Sequence, residues 1–114
     1  VTPVRAQPVD AVFRALADST RRQVVAELTR RPASVGELAA RFDMALPSFV
    51  QHLRVLEGSG LVRSTKRGRV RTFRLVPDRL RVAEDWLAAQ RVEWEQRADR
   101  FQQYVEHLEQ QDAP

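Results

Sequence analysis

Cysteine is absent from the 114-residue sequence. Its absence excludes disulfides, thiolate metal sites, sulfur-based redox sensing and cysteine nucleophiles in one step. Histidine is scarce, occurring only as His52 and His107. No serine is accompanied by a recognisable base and orienting group, so no enzymatic activity and no cofactor are expected. No stretch of about 18 apolar residues occurs, which leaves no candidate for a membrane-spanning helix. The opening stretch carries Pro3, Arg5 and Pro8 without the apolar run of a secretory signal. Residues 1–8 therefore read as a flexible arm, and the expected location is cytoplasmic.

Apolar side chains make up 43% of the chain and charged ones 30%, the balance of one compact domain with a true core. Charge is placed unevenly along it. Residues 1–80 hold 15 Lys/Arg against 7 Asp/Glu, a balance of +8, while residues 81–114 hold 4 against 8, a balance of −4, which together make the formal +4. Between Leu61 and Leu75 stand Arg63, Lys66, Arg67, Arg69, Arg71 and Arg74, without one acid. A localised basic face suits a polyanion, although a merely solvated surface reads the same way.

Apolar periodicity orders the elements. Val9, Val12, Phe13 and Leu16 form the i, i+3, i+4, i+7 stripe of a short helix. Asp18 can cap a second helix that carries Val24, Val25 and Leu28 and ends before Pro32. Ser34-Val35-Gly36-Glu37 is a capping-box pattern opening a third helix over 35–42. After Asp43-Met44-Ala45, Pro47 suits the first turn of a fourth helix with Phe49, Leu53 and Leu56 inward, closed by Gly58 and Gly60. The period then changes to two. Residues 61–66 and 70–76 read as strands about a turn at Arg67-Gly68-Arg69, and one helix follows from about Arg79 to Gln111. The expected fold is mainly α with some β: four short helices, a two-stranded β-wing and a long C-terminal helix. Residues 9–76 would form a winged helix-turn-helix domain and 77–114 a dimerisation helix.

The helices at 35–42 and 46–58 have helix-turn-helix spacing, in which the second helix enters the major groove of double-stranded DNA. Its outward positions are Ser48, Gln51, His52 and Arg54, with Val50 and Val55 between them. Gln51 can pair with adenine, Arg54 with phosphate or guanine, Ser48 with either of those, and Val50 can touch a thymine methyl. His52 can donate to DNA or pack beside Phe49 with its ring satisfied locally. In the wing, Arg63, Lys66, Arg67 and Arg71 would face phosphates and Arg69 at the tip would enter the minor groove. Arg21 and Arg22 stand in a first helical turn, where the dipole disfavours cations; they point to a phosphate, a buried carboxylate, or an internal pair with Glu27 or Asp18.

These residues carry a resemblance. Leu16-Ala17-Asp18-Ser19-Thr20-Arg21-Arg22, Ser34-Val35-Gly36-Glu37-Leu38-Ala39, His52-Leu53-Arg54-Val55-Leu56-Glu57 and Gly60-Leu61-Val62-Arg63 occur in order within residues 10–76 and resemble the ArsR/SmtB family of winged-helix repressors. The resemblance implies a homodimeric, promoter-binding repressor whose terminal helices form the dimer interface. Met44-Ala45-Leu46-Pro47-Ser48-Phe49 departs from the commonest family pattern, so target sequence does not carry over. Metal-sensing members bear a Cys-x-Cys pair on the third helix or Asp/His ligands on the last. Here Leu38, Ala39, Ala40 and Arg41 stand at the former place, and the last helix has only His107 beside Glu84, Asp85 and Glu93. No metal site is expected.

Leu80, Leu87, Trp94, Phe101 and Leu108 recur every seven residues, a seam too long to bury against the body alone. With Val12 they are the expected dimer interface, and a two-fold dimer calls for a pseudo-palindromic operator. Trp86 and Trp94, with Phe101 and Tyr104, could instead line a pocket for a small-molecule effector, for which nothing else in the sequence argues. The alternative to a DNA-binding regulator is a helical protein-interaction module, which would leave the basic wing without a role.

Overall fold

The computed structural model describes residues 7–112. It contains α1 (Pro8–Leu16), α2 (Ser19–Arg30), β1 (Ala33–Ser34), α3 (Val35–Ala39), α4 (Leu46–Gly58), β2 (Val62–Arg67), β3 (Val70–Leu75) and α5 (Pro77–Gln111). Of the arm expected at 1–8, residues 1–6 lie outside the described residues. Gln7 and Pro8 belong to the start of α1: Pro8 stands in its first turn, and the Gln7 N–H donates to the Asp10 carboxylate at 2.7 Å.

The described chain forms two compact units, one up to Ala83 and one from Glu84. In the first, the apolar stripes of all its helices converge on one core. Val12 and Ala15 come from α1, Val24, Val25 and Leu28 from α2, Leu38 from α3, Phe49, Leu53 and Leu56 from α4. Leu61, Val62, Phe73 and Ala33 bring in the sheet, and Ala83 the early turns of α5. The body thus takes in two turns of the helix that the sequence assigns wholly to 77–114. Full burial of one such aliphatic or aromatic side chain is worth about 1.5–3 kcal/mol.

Val12 requires a correction. Expected at a subunit interface, it is 0% exposed within the single chain, because it lies on the face of α1 that packs inward. It has no surface left for a partner. Leu80 is half-buried against the same core.

The sheet also exceeds expectation. It has three strands in the order β1-β3-β2, all antiparallel, because Ala33 and Ser34 pair with Phe73 and Thr72. Two residues are too few for an alternating pattern to show. Ser34 then caps α3: its hydroxyl accepts from the Glu37 N–H at 3.1 Å, and the Glu37 carboxylate accepts from the Ser34 N–H at 3.1 Å. Regular α-helix stops at Ala39, and two tighter turns follow, from Arg41 N–H to the Leu38 carbonyl and Phe42 N–H to the Ala39 carbonyl. The connection into α4 is therefore longer than the sequence suggests. Gly60 ends α4 in the left-handed conformation, φ 82°, and a Cβ there would stand 2.6 Å from the Arg79 side chain.

The unit from Glu84 is one helical stretch. Leu87, Trp94, Phe101 and Leu108 on it are exposed.

Candidate nucleic-acid interface

α4 divides sharply by face. Phe49, Leu53 and Leu56 are at most 2% exposed, while Ser48, Gln51 and Arg54, three residues apart, face solvent. Val50 and His52 are half-buried at the flanks. Phe49 is further held by the Phe42 ring at a centroid distance of 5.1 Å. Ala45 at the N-cap supplies no side-chain acceptor, so the amides of the first turn are left to water or an anion.

The wing adds cations in a defined arrangement. Arg67 pairs with Val70 across a two-residue turn, with Gly68 at φ 62° in its first position, which leaves Arg69 at the tip. Cross-strand partners share a face. Val62/Leu75, Ser64/Phe73 and Lys66/Arg71 therefore share the core side, and Arg63/Arg74, Thr65/Thr72 and Arg67/Val70 the other. Two like-charged pairs, Arg63/Arg74 and Lys66/Arg71, thus stand directly opposite each other, an arrangement that destabilises a free hairpin. Arg71 donates to the Ser64 hydroxyl at 2.8 Å, and among the described residues no ion pair joins any of the six wing cations to an acid.

Helix and wing meet in a groove. Arg54 of α4 and Arg71 of β3 line one cavity with Val35, Val50, Leu53, Glu57 and Phe73. Arg67 and Arg74 line a second cavity on the opposite sheet face with Thr65, Thr72 and Pro32. Val50, Arg54 and Arg71 thus line one cavity, Ser48 and Gln51 lie exposed on α4, Lys66 shares the sheet face of Arg71, Arg63, Arg67 and Arg74 take the other face, and Arg69 stands at the tip.

His52 and Arg21 meet, a contact no spacing rule foretells. Arg21 and Arg22 do not pair with Glu27 or a buried carboxylate. Their guanidinium groups donate to the last carbonyls of α1: Arg21 to Ala15 at 2.7 Å and Arg14 at 3.1 Å, Arg22 to Leu16 at 2.7 Å. That placement is favourable at a helix C-terminus, so cations that look misplaced on α2 serve α1. Arg21 also stands 3.1 Å from His52 Nδ1. Asp18 caps α2 by accepting from the Arg21 N–H at 3.0 Å, a bond that holds its carboxyl below the ordinary value. The signal in the sequence was the pair of arginines in a first turn.

Among the described residues, no group of three or more His, Cys, Asp or Glu side chains is placed to hold a metal ion. Trp94 borders a shallow depression with Gln90, Glu93 and Arg97, all from one helix, and Trp86 is not part of it. No helix of the described residues is long and apolar enough to cross a membrane.

A helix-turn-helix domain model matches residues 16–65. The HTH-type transcriptional regulator Rv2034 of Mycobacterium tuberculosis is 41% identical over 68 residues, which are 60% of this chain and 64% of that protein. The chain therefore spans less than two thirds of that relative's length. The crystal structure of the ArsR family transcriptional regulator RHA00566 is 49% identical and superposes with a TM-score of 0.75, covering 78% of this chain and 98% of that one. At 24% identity the same fold recurs in the solution structure of a homodimeric winged helix-turn-helix DNA-binding domain from Mycobacterium bovis, with a TM-score of 0.61 over 78% of this chain and 83% of that one. With a mainly helical body, a small antiparallel sheet, a helix-turn-helix and a cationic wing, this chain belongs to the ArsR family of winged helix-turn-helix transcriptional regulators.

Proposed function

We propose that the chain binds promoter DNA as a homodimer and represses transcription by occluding the promoter, in the cytoplasm and without metal or catalytic chemistry. The observation that carries DNA binding is the wing, where like charges are paired across the strands beside the exposed polar face of α4. Opposite phosphates, those cations release condensed counterions, a favourable term that offsets their mutual repulsion. Ser48, Val50, Gln51, His52 and Arg54 then read bases, and Arg63, Lys66, Arg67, Arg69 and Arg71 hold the backbone or, at the tip, the minor groove. The dimer rests on the exposed seam of Leu87, Trp94, Phe101 and Leu108 in the second unit, whose natural cover is the same seam of a second copy. Two copies related by a two-fold axis call for a pseudo-palindromic operator.

Gln51→Ala should cost about 1–3 kcal/mol on the preferred site and little on random duplex. Arg69→Ala should weaken both more evenly and lower the slope of log K against log salt by about one. Binding titrations of both variants against both duplexes at several salt concentrations check this. Equal losses on both duplexes for both variants would show that α4 does not read bases.

A further inference from the structure

One side of the His52 ring is committed to the fold. Its Nδ1 stands 3.1 Å from a terminal nitrogen of Arg21. A guanidinium only donates, so Nδ1 accepts and carries no proton. The neutral ring then holds its single proton on Nε2. Arg21 is itself fixed by the Ala15 and Arg14 carbonyls at 2.7 and 3.1 Å and, through its backbone N–H, by Asp18. The end of α1, the start of α2 and the middle of α4 therefore meet at one side chain. Asp18 Oδ2 lies 3.8 Å from the same ring nitrogen, beyond hydrogen-bond reach.

We propose that Arg21 is a positioning residue for DNA reading, which holds His52 as the neutral Nε2–H form and so orients a hydrogen-bond donor next to Gln51 on α4. This rests on the proposal that α4 reads DNA. Its consequence has the opposite sign to simple electrostatics, in which added positive charge on a DNA-binding face strengthens attachment. A proton that charges His52 lands on Nδ1 and sets an N–H against the guanidinium. The nearest acceptor is the Asp18 carboxylate, so the ring leaves Arg21 for Asp18 and the Nε2 donor moves with it.

The charged groups at the ring are Asp18, the cap of α2, and Arg21 of α2, with Arg14 of α1 beyond Arg21. On α4 itself, Ser48, Phe49, Val55 and Leu56, one turn either way, are uncharged. Of the other elements packed on α4, α3 carries Glu37, bonded to Ser34, with Arg41 just beyond it paired to Glu27, and the charged residues of β2 are Arg63, Lys66 and Arg67, all basic.

The test uses the full chain, a random-sequence duplex, and the duplex selected by the protein from a random pool at about pH 8. As the pH is lowered from that value until nitrogen NMR shows the second ring proton on His52, affinity for the selected duplex should fall while that for random duplex holds or rises. The expected fall is roughly tenfold, the worth of one lost contact. A ratio that stays flat, with preference intact at the higher pH, overturns this inference and leaves DNA reading by α4 standing. Absence of any preference at either pH overturns both. His52→Gln, which keeps an N–H donor and cannot titrate, should flatten the profile; a persisting fall overturns the assignment to His52. Nitrogen NMR of the unmodified protein needs no variant to fold: at the higher pH it should find the His52 proton on Nε2, and a proton on Nδ1 overturns the proposal.

Discussion

The body up to Ala83 and the helical segment from Glu84 use apolar residues in opposite ways. Every fully buried hydrophobic residue among the described ones lies in the body, whereas Trp94 and Phe101 in the segment are 66% and 68% exposed. The segment is held as helix by local means, such as Arg91–Glu95 at 3.8 Å and Gln102–Glu106 at 3.0 Å. Pairs of that kind contribute about 0.2–0.5 kcal/mol each, far less than one core side chain. Helices without tertiary burial are marginal in water. The body is stabilised by its own packing, and the segment calls for a second surface.

The largest effect that would break this contrast is in the core. Phe49→Ala should cost about 3–5 kcal/mol, read as a lower denaturant midpoint, because the ring is enclosed on all sides and leaves a cavity. A loss under about 1 kcal/mol would mean that the body packs loosely. Phe101→Asp should instead act on association, weakening it by about 2 kcal/mol or more while the core of the body stays folded. Sedimentation at micromolar concentration tests this, and a monomeric unsubstituted protein would remove the need for a partner surface. Smaller is Ser34→Ala, which deletes the α3 cap and should cost about 1 kcal/mol in unfolding.

The smallest effect is acid sensitivity within the body. The Arg21 N–H holds the Asp18 carboxyl below its ordinary value, and the Ser34 N–H does the same for Glu37. The unfolded chain therefore binds these protons first. Their contribution is complete above the ordinary carboxylate range and is lost as pH falls through the lowered folded values. Denaturant midpoints should drop in that acidic window, and Asp18→Asn, which keeps a capping oxygen, should reduce the drop. A midpoint that rises on acidification would contradict the assignment.

Most elements were legible because their signals are local. The Phe49, Leu53, Leu56 stripe, the Ser34–Glu37 box and Pro47 each act within about one or two helical turns. The polar face of α4 followed from the same period, since whatever lies opposite a buried stripe faces outward. The wing followed from a change of period, but its two faces did not, because a shift of register by one residue exchanges them.

The sequence by itself determined the order of helices and strands, their caps, the surplus of cations at 61–75 and the lack of any thiol chemistry. Only tertiary structure decided that Ala33–Ser34 adds a third strand, that Val12 is lost to the core, and that Lys66 and Arg71 part from Arg63, Arg67 and Arg74. It alone joined Arg21 to His52, 31 positions apart. The reason is range: capping and periodicity are fixed by neighbours along the chain, whereas these contacts exist only once the helices have packed around a common core.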